Sequence, residues 1–154
     1  MADWLVYWKE FADRAEPREV KVWRVKQGSR LVDAQKGDRL WLIVSGESWQ
    51  KKVKKLKIAI PDAGYLAEIF TVGDMVVEDD GYYYYLIEGI PAGCVAIDPP
   101  LDVDAHLRAI SKKPDTHVGM RCQTPRIFEP LTVDAMKNLL QRSRPGAYKT
   151  VFNQ

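Results

Sequence analysis

Residues 36–45 constrain the fold more than any other part of the chain. Their sequence, KGDRLWLIVS, is a turn followed by an uninterrupted apolar run at residues 40–44. Gly37 can take a positive φ without a Cβ penalty, which suits a tight turn. Because side chains alternate between the two faces of a strand, an apolar run without alternation predicts a strand buried on both faces. We therefore expect a sheet that is covered on both sides.

Several other short segments are rich in β-branched and aromatic residues and are bounded by turn residues, which predicts further strands. These are residues 3–8, 18–27, 64–72 and 93–98, with a hairpin over residues 77–89. Asp80 and Gly81 suit the tight turn of that hairpin.

Helices are expected near the C-terminal end. Val103, Leu107 and Ile110 recur at i, i+4 and i+7, which predicts one helical stripe. Residues 130–146 predict a second helix with Thr132 as its N-cap. Together these patterns predict a single α+β domain over residues 1–154, a curled sheet or small barrel of about five to six strands flanked by helices.

Composition excludes several classes of protein. No stretch approaches the ~18 apolar residues of a membrane span, and the N-terminus does not resemble a signal peptide. Cys94 and Cys122 are the only cysteines and, with the isolated His106 and His117, they form neither a disulfide framework nor a metal-ligand spacing. We therefore expect a cytoplasmic protein with reduced thiols, no metal, no cofactor and no membrane partner.

Charge argues against a protein that holds nucleic acid mainly through the phosphate backbone. The net charge is only +2, so any nucleic-acid contact must be local. The segment QKKVKKLK concentrates five lysines within seven residues, at positions 51, 52, 54, 55 and 57. Two interpretations stay open: a solvated loop or an edge strand protected from aggregation by lysines, or a patch that contacts phosphates.

Motifs for catalysis are missing. The chain has no GxxxxGK[ST], GxGxxG, HExxH or GxSxG sequence. Asp102 and Asp104 flank a predicted helix start, where carboxylates favour the positive end of the helix dipole without any catalytic role. No nucleophile has a base close to it in the sequence that could activate it, so catalysis would depend on residues that the fold brings together. The sequence therefore favours binding over catalysis.

The five tryptophans are more than a core of this size requires. We expect Trp4 and Trp41 in the core, while Trp8, at the end of a strand, is ambiguous. Trp23 and Trp49 have polar and basic neighbours, and Trp49 is expected in the loop after the strand at residues 39–45. Stacking of a base on an aromatic ring contributes roughly 1–3 kcal/mol. Two indoles across a slot could therefore offset much of the few kcal/mol needed to flip a base.

The order of three segments resembles the PUA-like superfamily, most closely its EVE domains, with YTH domains as relatives. The segments are VWRVKQGSR, KGDRLWLIVSG and GYLAEIFTV. Residues 73–120 match least, the first strand lacks the Ser-Glu-Pro that ends it in EVE domains, and residues 50–60 are a lysine-rich addition. The resemblance implies a pseudo-barrel with an aromatic pocket for a methylated or hydroxymethylated base.

Site residues follow from the resemblance position by position. Trp23 matches the tryptophan that walls the pocket, Ser45 and Gly46 match the strand end near its floor, and Trp49 falls where relatives place a second cage tryptophan. Trp8 falls where EVE domains have polar residues. The flanking phosphates would be contacted by basic side chains, namely Arg24, Lys51, Lys52, Lys54 and Lys55.

Three hypotheses about function stay open. The first is a protein that captures a modified base of DNA or RNA without chemistry. The second is a PUA-like module that binds unmodified single-stranded RNA through its lysines and stacking tryptophans. The third is a small nucleotide or RNA hydrolase, as in some ASCH-type relatives.

Overall fold

Strand β3, Arg39–Ser45, lies at the centre of a mixed sheet. In the computed structural model, the described residues are 1–9, 11, 22–26, 28–53, 59–77, 83–111, 115, 117–118, 122, 125–127 and 130–152. Every side chain from Leu40 to Val44 is fully buried, which confirms the prediction of a strand covered on both faces. β3 pairs in parallel with β1, Asp3–Tyr7, and antiparallel with β4, Gly64–Val77.

The sheet contains seven strands within the described residues. The others are β2, Val22–Lys26; β5, Tyr83–Gly89; β6, Val95–Asp102; and β7, Arg126–Ile127. Six strands follow the order β2-β5-β4-β3-β1-β7, and β6 pairs with β4 beside them. The long β4 joins two parts of the sheet, since its first half pairs with β3 and β6 and its second half with β5.

The predicted α+β class is confirmed, and of the two predicted arrangements, a curled sheet or a small barrel, the described residues do not form a closed barrel. The two outer strands of the order, β2 and β7, do not pair with each other, so the sheet is open. The turn predicted at Asp80 and Gly81 lies outside the described residues. The strands on either side of it pair antiparallel, with Val77 opposite Tyr85, as a hairpin requires.

Each face of the sheet carries its own apolar core. The front face is the one that carries Trp4, Leu40, Leu42, Val44 and Phe70, and the back face carries Leu5, Trp41, Ile43, Leu66 and Ile69. The strict alternation along β1 and β3 sends successive side chains to opposite faces. The predicted core positions of Trp4 and Trp41 are confirmed, with Trp41 on the back face and its indole N–H donating to Asp3 Oδ1 at 2.9 Å.

Helices cover the back face. They are α2, Asp104–Ile110; α3, Pro130–Ser143; and α4, Pro145–Phe152, and they follow a short helix, α1, at Gly46–Lys52. Leu107, Met136 and Val151 from these helices pack against the back-face strands. The predicted N-cap was wrong, because α3 already begins at Pro130 and Thr132 lies inside its first turn. No helix of the described residues has the length and apolarity needed to cross a bilayer.

Candidate functional site

A short helix that the sequence analysis did not predict, α1 at Gly46–Lys52, follows directly from β3. Ser45 is its N-cap, and the Ser45 Oγ accepts a hydrogen bond from the Ser48 N–H at 3.0 Å. Glu47 lies in the first turn and Lys51 and Lys52 in the last, which complements the helix dipole. Trp49 is therefore on a helix, and its expected place in a loop was wrong.

Residues 59–63 pack against α1 and hold it in place. The Gly46 N–H donates to the Ala63 carbonyl at 3.1 Å, and the Ile60 N–H donates to the Gln50 side-chain carbonyl at 2.7 Å. A Cβ on Gly46 would lie 2.0 Å from the Pro61 carbonyl oxygen, so only glycine fits there. Gly46 therefore has a structural role at the start of α1, and its N–H donates to an acceptor within the protein.

Trp49 lies half-buried on a second aromatic ring. Its indole meets the ring of the buried Tyr65 edge to face, with centroids 5.0 Å apart and planes at 71°. The Tyr65 hydroxyl donates to the Pro61 carbonyl at 3.1 Å. Burial first, and then the charges of Asp102, Asp104 and Asp62, raise the pKa of Tyr65, so its phenol stays protonated and keeps this hydrogen bond.

Trp23 also lies against a more buried aromatic ring, that of Trp8. It lies on β2 on the side of the buried Val25, half-buried against the front-face core. Its indole meets Trp8 edge to face at 5.8 Å and 73°, and Trp8 in turn meets Phe11 at 5.0 Å. Because Trp8 is only 7% exposed, it supports Trp23 from beneath and is not itself an open surface.

Trp8 and Tyr65, the rings that contact Trp23 and Trp49, lie in one row across neighbouring strands. Tyr7 pairs with Ile43 in the parallel β1–β3 ladder, so the next residue, Trp8, lies beside Val44, and Val44 pairs with Tyr65 on β4. We call Trp8, Val44 and Tyr65 the aromatic row. The backbone positions of Trp8 and Tyr65 are two strand spacings apart, about 10 Å. The half-buried Trp23 and Trp49 therefore contact the two ends of one row on the front face.

Of the predicted phosphate contacts, the structure brings one lysine to this row. Lys52 lies with its Nζ 4.2 Å from the centroid of the Phe11 ring and 3.5 Å from the Phe11 carbonyl. Lys51 pairs with Glu47 at 3.2 Å. Arg24 is exposed on the side of β2 opposite to Trp23, since neighbouring residues of a strand alternate. Lys54 and Lys55 lie outside the described residues.

Glu68 is a buried carboxylate that the sequence analysis did not single out as a site residue. It lies in β4 and is 3% exposed. The β3–β4 pairing shifts here, since Leu42 pairs with Glu68 while Ile43 pairs with Leu66. The extra residue, Ala67, forms a β-bulge that turns Glu68 to the front face with Leu42. Without the bulge Glu68 would share the back face with Leu66, so no periodicity in the sequence could have located it.

The Lys-Gly-Asp turn has a structural role. Asp38 is buried and accepts hydrogen bonds from the Ala2 N–H at 2.9 Å, the Gln35 N–H at 2.9 Å and the Trp4 indole N–H at 3.1 Å. Burial alone would raise the pKa of Asp38, but these three hydrogen bonds together with the N-terminal charge hold it below its usual value. The turn thus fixes the start of β1 against β3.

Metal ligation has no support within the described part of the chain, where no group of three or more His, Cys, Asp or Glu side chains is placed to hold an ion. No protein-family model, curated protein or solved structure matches the chain. The resemblance to the PUA-like superfamily and its EVE domains therefore stays a prediction.

Proposed function

We propose that the protein binds nucleic acid by capturing one base on the front face of its sheet, against Trp23 and Trp49, without chemistry. The observation that carries the proposal is the pair of half-buried indoles at the two ends of the aromatic row. A half-buried indole is large, flat and able to stack on any base.

The spacing of the supports suits a flat ligand. A ring held between two aromatic planes needs about 7 Å between them, two van der Waals contacts of about 3.5 Å. The strand positions of Trp8 and Tyr65, which support the two indoles, are about 10 Å apart. Each indole lies edge to face on its supporting ring. Ser45 and Gly46 serve this arrangement by holding α1, and with it Trp49, in position.

A preference for a methylated base is expected from the apolar front-face core. Besides the two indoles, other partly buried apolar side chains pack against this core, among them Ile60, Met75 and Tyr85. Burial of one methyl group is favourable by about 0.8 kcal/mol, which corresponds to roughly a fourfold gain in affinity. A hydroxymethyl group would gain less unless its hydroxyl found a partner. The proposed ligand is therefore a methylated base in DNA or RNA.

A titration of intrinsic tryptophan fluorescence with methylated, hydroxymethylated and unmodified nucleosides tests the proposal. We expect saturable quenching, with a methylated nucleoside bound most tightly. Trp49→Ala should weaken binding by about 1–3 kcal/mol, since one stacking contact is lost. Calorimetry with the same nucleosides gives the affinity independently of the removed fluorophore.

Tyr148→Ala is the matched control, because Tyr148 is also a half-buried aromatic residue with a ring neighbour, Phe152, but belongs to the back-face core. It should leave the affinity unchanged. An equal loss in both variants would show that binding reports stability and not stacking. A Trp49→Ala protein that fails to fold would place Trp49 in the core and overturn its role in binding.

A further inference from the structure

The front face continues beyond Trp23 along three paired strands, β2, β5 and the second half of β4. Trp23 on β2 pairs with Ile87 on β5, and Tyr85 lies two residues before Ile87 on the same strand. Side chains two residues apart in a strand point to the same face, and both Trp23 and Tyr85 pack against the front-face core. Tyr85 is thus the diagonal cross-strand neighbour of Trp23, with the two Cα atoms about 7–8 Å apart.

Tyr85 is a half-buried ring at the margin of this face. It pairs with the buried Val25 on one side and with Val77 on the other. Val77 is 64% exposed, so the row formed by these three residues runs from the core into solvent. An aromatic ring and an apolar side chain beside Trp23 are therefore partly exposed, where a ligand that extends from the base-capture site would lie.

We propose that Tyr85 stacks the base next to the captured one, so that the ligand is a single strand of at least two nucleotides. This inference rests on the proposed function, since it starts from a base held against Trp23. A sheet whose aromatic side chains stack two or three successive bases is an established mode of single-strand recognition. When a base is flipped out of a duplex, its neighbours stay paired and stacked, so they could not reach Tyr85.

The charge of these three strands favours stacking over a phosphate contact. The described basic residues of β2, Arg24 and Lys26, alternate with Trp23 and Val25 and therefore point to the other side of the sheet. The described parts of β5 and of the second half of β4 contain no lysine or arginine. The flanking nucleotide would thus be held by its base, and its contribution to affinity should not depend on salt.

Two single-stranded trinucleotides with a central 5-methylcytidine test the inference by calorimetry. Both neighbours are adenosines in the first ligand and abasic residues in the second, so the two ligands carry the same phosphates. The wild-type protein should bind the adenosine-flanked strand roughly tenfold more tightly, since one more base is stacked. This ratio should be the same at low and high salt, and a ratio near one would overturn the inference. A second pair with N6-methyladenosine at the centre repeats the comparison for a purine.

Tyr85→Leu keeps an apolar side chain in the row but removes the ring. It should bring the ratio of the two affinities close to one and leave the affinity for the free nucleoside at the wild-type value. Tyr85→Phe keeps the ring and should keep the ratio. Tyr7→Leu is the matched control, because Tyr7 is also a half-buried tyrosine of a strand but packs against the back-face core. An unchanged ratio in a folded Tyr85→Leu protein would overturn the inference.

Should Tyr85→Leu fail to fold, the wild-type protein still decides the matter by photochemical cross-linking. A trinucleotide that carries 5-iodouridine beside the central 5-methylcytidine is irradiated in the complex, and the modified residue is identified by mass spectrometry. The inference expects the cross-link at Tyr85. Cross-links found only at other residues would overturn it.

The possible failures are distinguishable. Nucleosides that bind and lose affinity in Trp49→Ala, without any gain from flanking bases, would overturn the role of Tyr85 and leave base capture standing. A duplex with the same central base that binds more tightly than the single strand would do the same. If no nucleoside and no strand binds, the proposed function fails and the inference about Tyr85 fails with it.

Discussion

Asp38 concentrates three hydrogen bonds on one buried carboxylate at the edge of the front-face core. Its pKa is depressed in the folded protein, so its contribution to stability is fully present above the unfolded pKa of about 3.9 and is lost as pH falls through the lower folded value. We predict that Asp38→Asn lowers the free energy of unfolding by about 1–3 kcal/mol at pH 7, because an amide opposes at least one of three donors with a donor of its own.

Urea denaturation at pH 7 and at pH 3 checks this prediction. The difference in the free energy of unfolding between the wild type and Asp38→Asn should be smaller at pH 3. This pH lies below the unfolded pKa of about 3.9, so the unfolded wild-type chain binds a proton at this carboxylate and the advantage of the folded state falls. Asp33→Asn serves as the control, since Asp33 is exposed, and should change little at either pH. A difference in the free energy of unfolding that grows as the pH falls would contradict the assigned role of Asp38.

Single residues differ in how far the sequence could place them. Trp4 and Trp41 belong to strands with clear patterns, so their burial was predictable. Trp8 was ambiguous because a strand end can be either covered or open, and Trp23, one of the two rings that contact it, lies on another strand. Glu68 could not be placed at all, since one extra residue in β4 reverses its face and bulges leave no reliable mark in a sequence.

At the scale of elements, α1 connects Ser45 to the candidate site. Ser45→Ala removes the side-chain cap and should lower the free energy of unfolding by about 1 kcal/mol. It should also weaken base binding, because fraying of the first turn shifts Trp49, although Ser45 itself is buried. Chemical denaturation and nucleoside calorimetry measure the two effects.

Ser48→Ala is the matched control for the cap. Ser48 contributes its backbone N–H to the hydrogen bond, and alanine keeps that group. Ser48→Ala should therefore lower the free energy of unfolding by less than about 0.5 kcal/mol. Equal effects of the two substitutions would mean that Ser45 does not act through capping.

Sequence patterns predicted long elements better than short ones. The seven residues of α1 carry the signals of a helix, an N-cap Ser45, Glu47 in the first turn and two lysines in the last, but they are too few to show apolar periodicity. Strand β6 extends through Pro99 and Pro100 because its far end pairs with Leu66 and Tyr65, a contact made by the fold and not by local propensity.

For the molecule as a whole, the distribution of charge separates the two binding hypotheses. With a net charge of +2, the chain has little general attraction for phosphates, and among the described residues Lys52 is the predicted phosphate contact that lies at the aromatic row. Each phosphate contact on a single strand contributes a slope of about 0.7 to the fall of log K with log salt, so this one contact gives about 0.7. A much steeper slope would favour binding of unmodified RNA through the lysine segment.

Lys52→Gln tests whether Lys52 contacts a phosphate, since the substitution removes one charge and should leave the fold intact. The substitution should reduce the salt slope for a single-stranded oligonucleotide by about 0.7, and it should weaken modified and unmodified strands equally because a phosphate contact carries no base information. Arg24→Gln, which also removes one positive charge but on the side of β2 away from Trp23, should leave the slope unchanged. Fluorescence anisotropy at several salt concentrations gives all three slopes. Equal losses for Lys52→Gln and Arg24→Gln would mean that net charge, and not the position of Lys52 beside the aromatic row, governs binding.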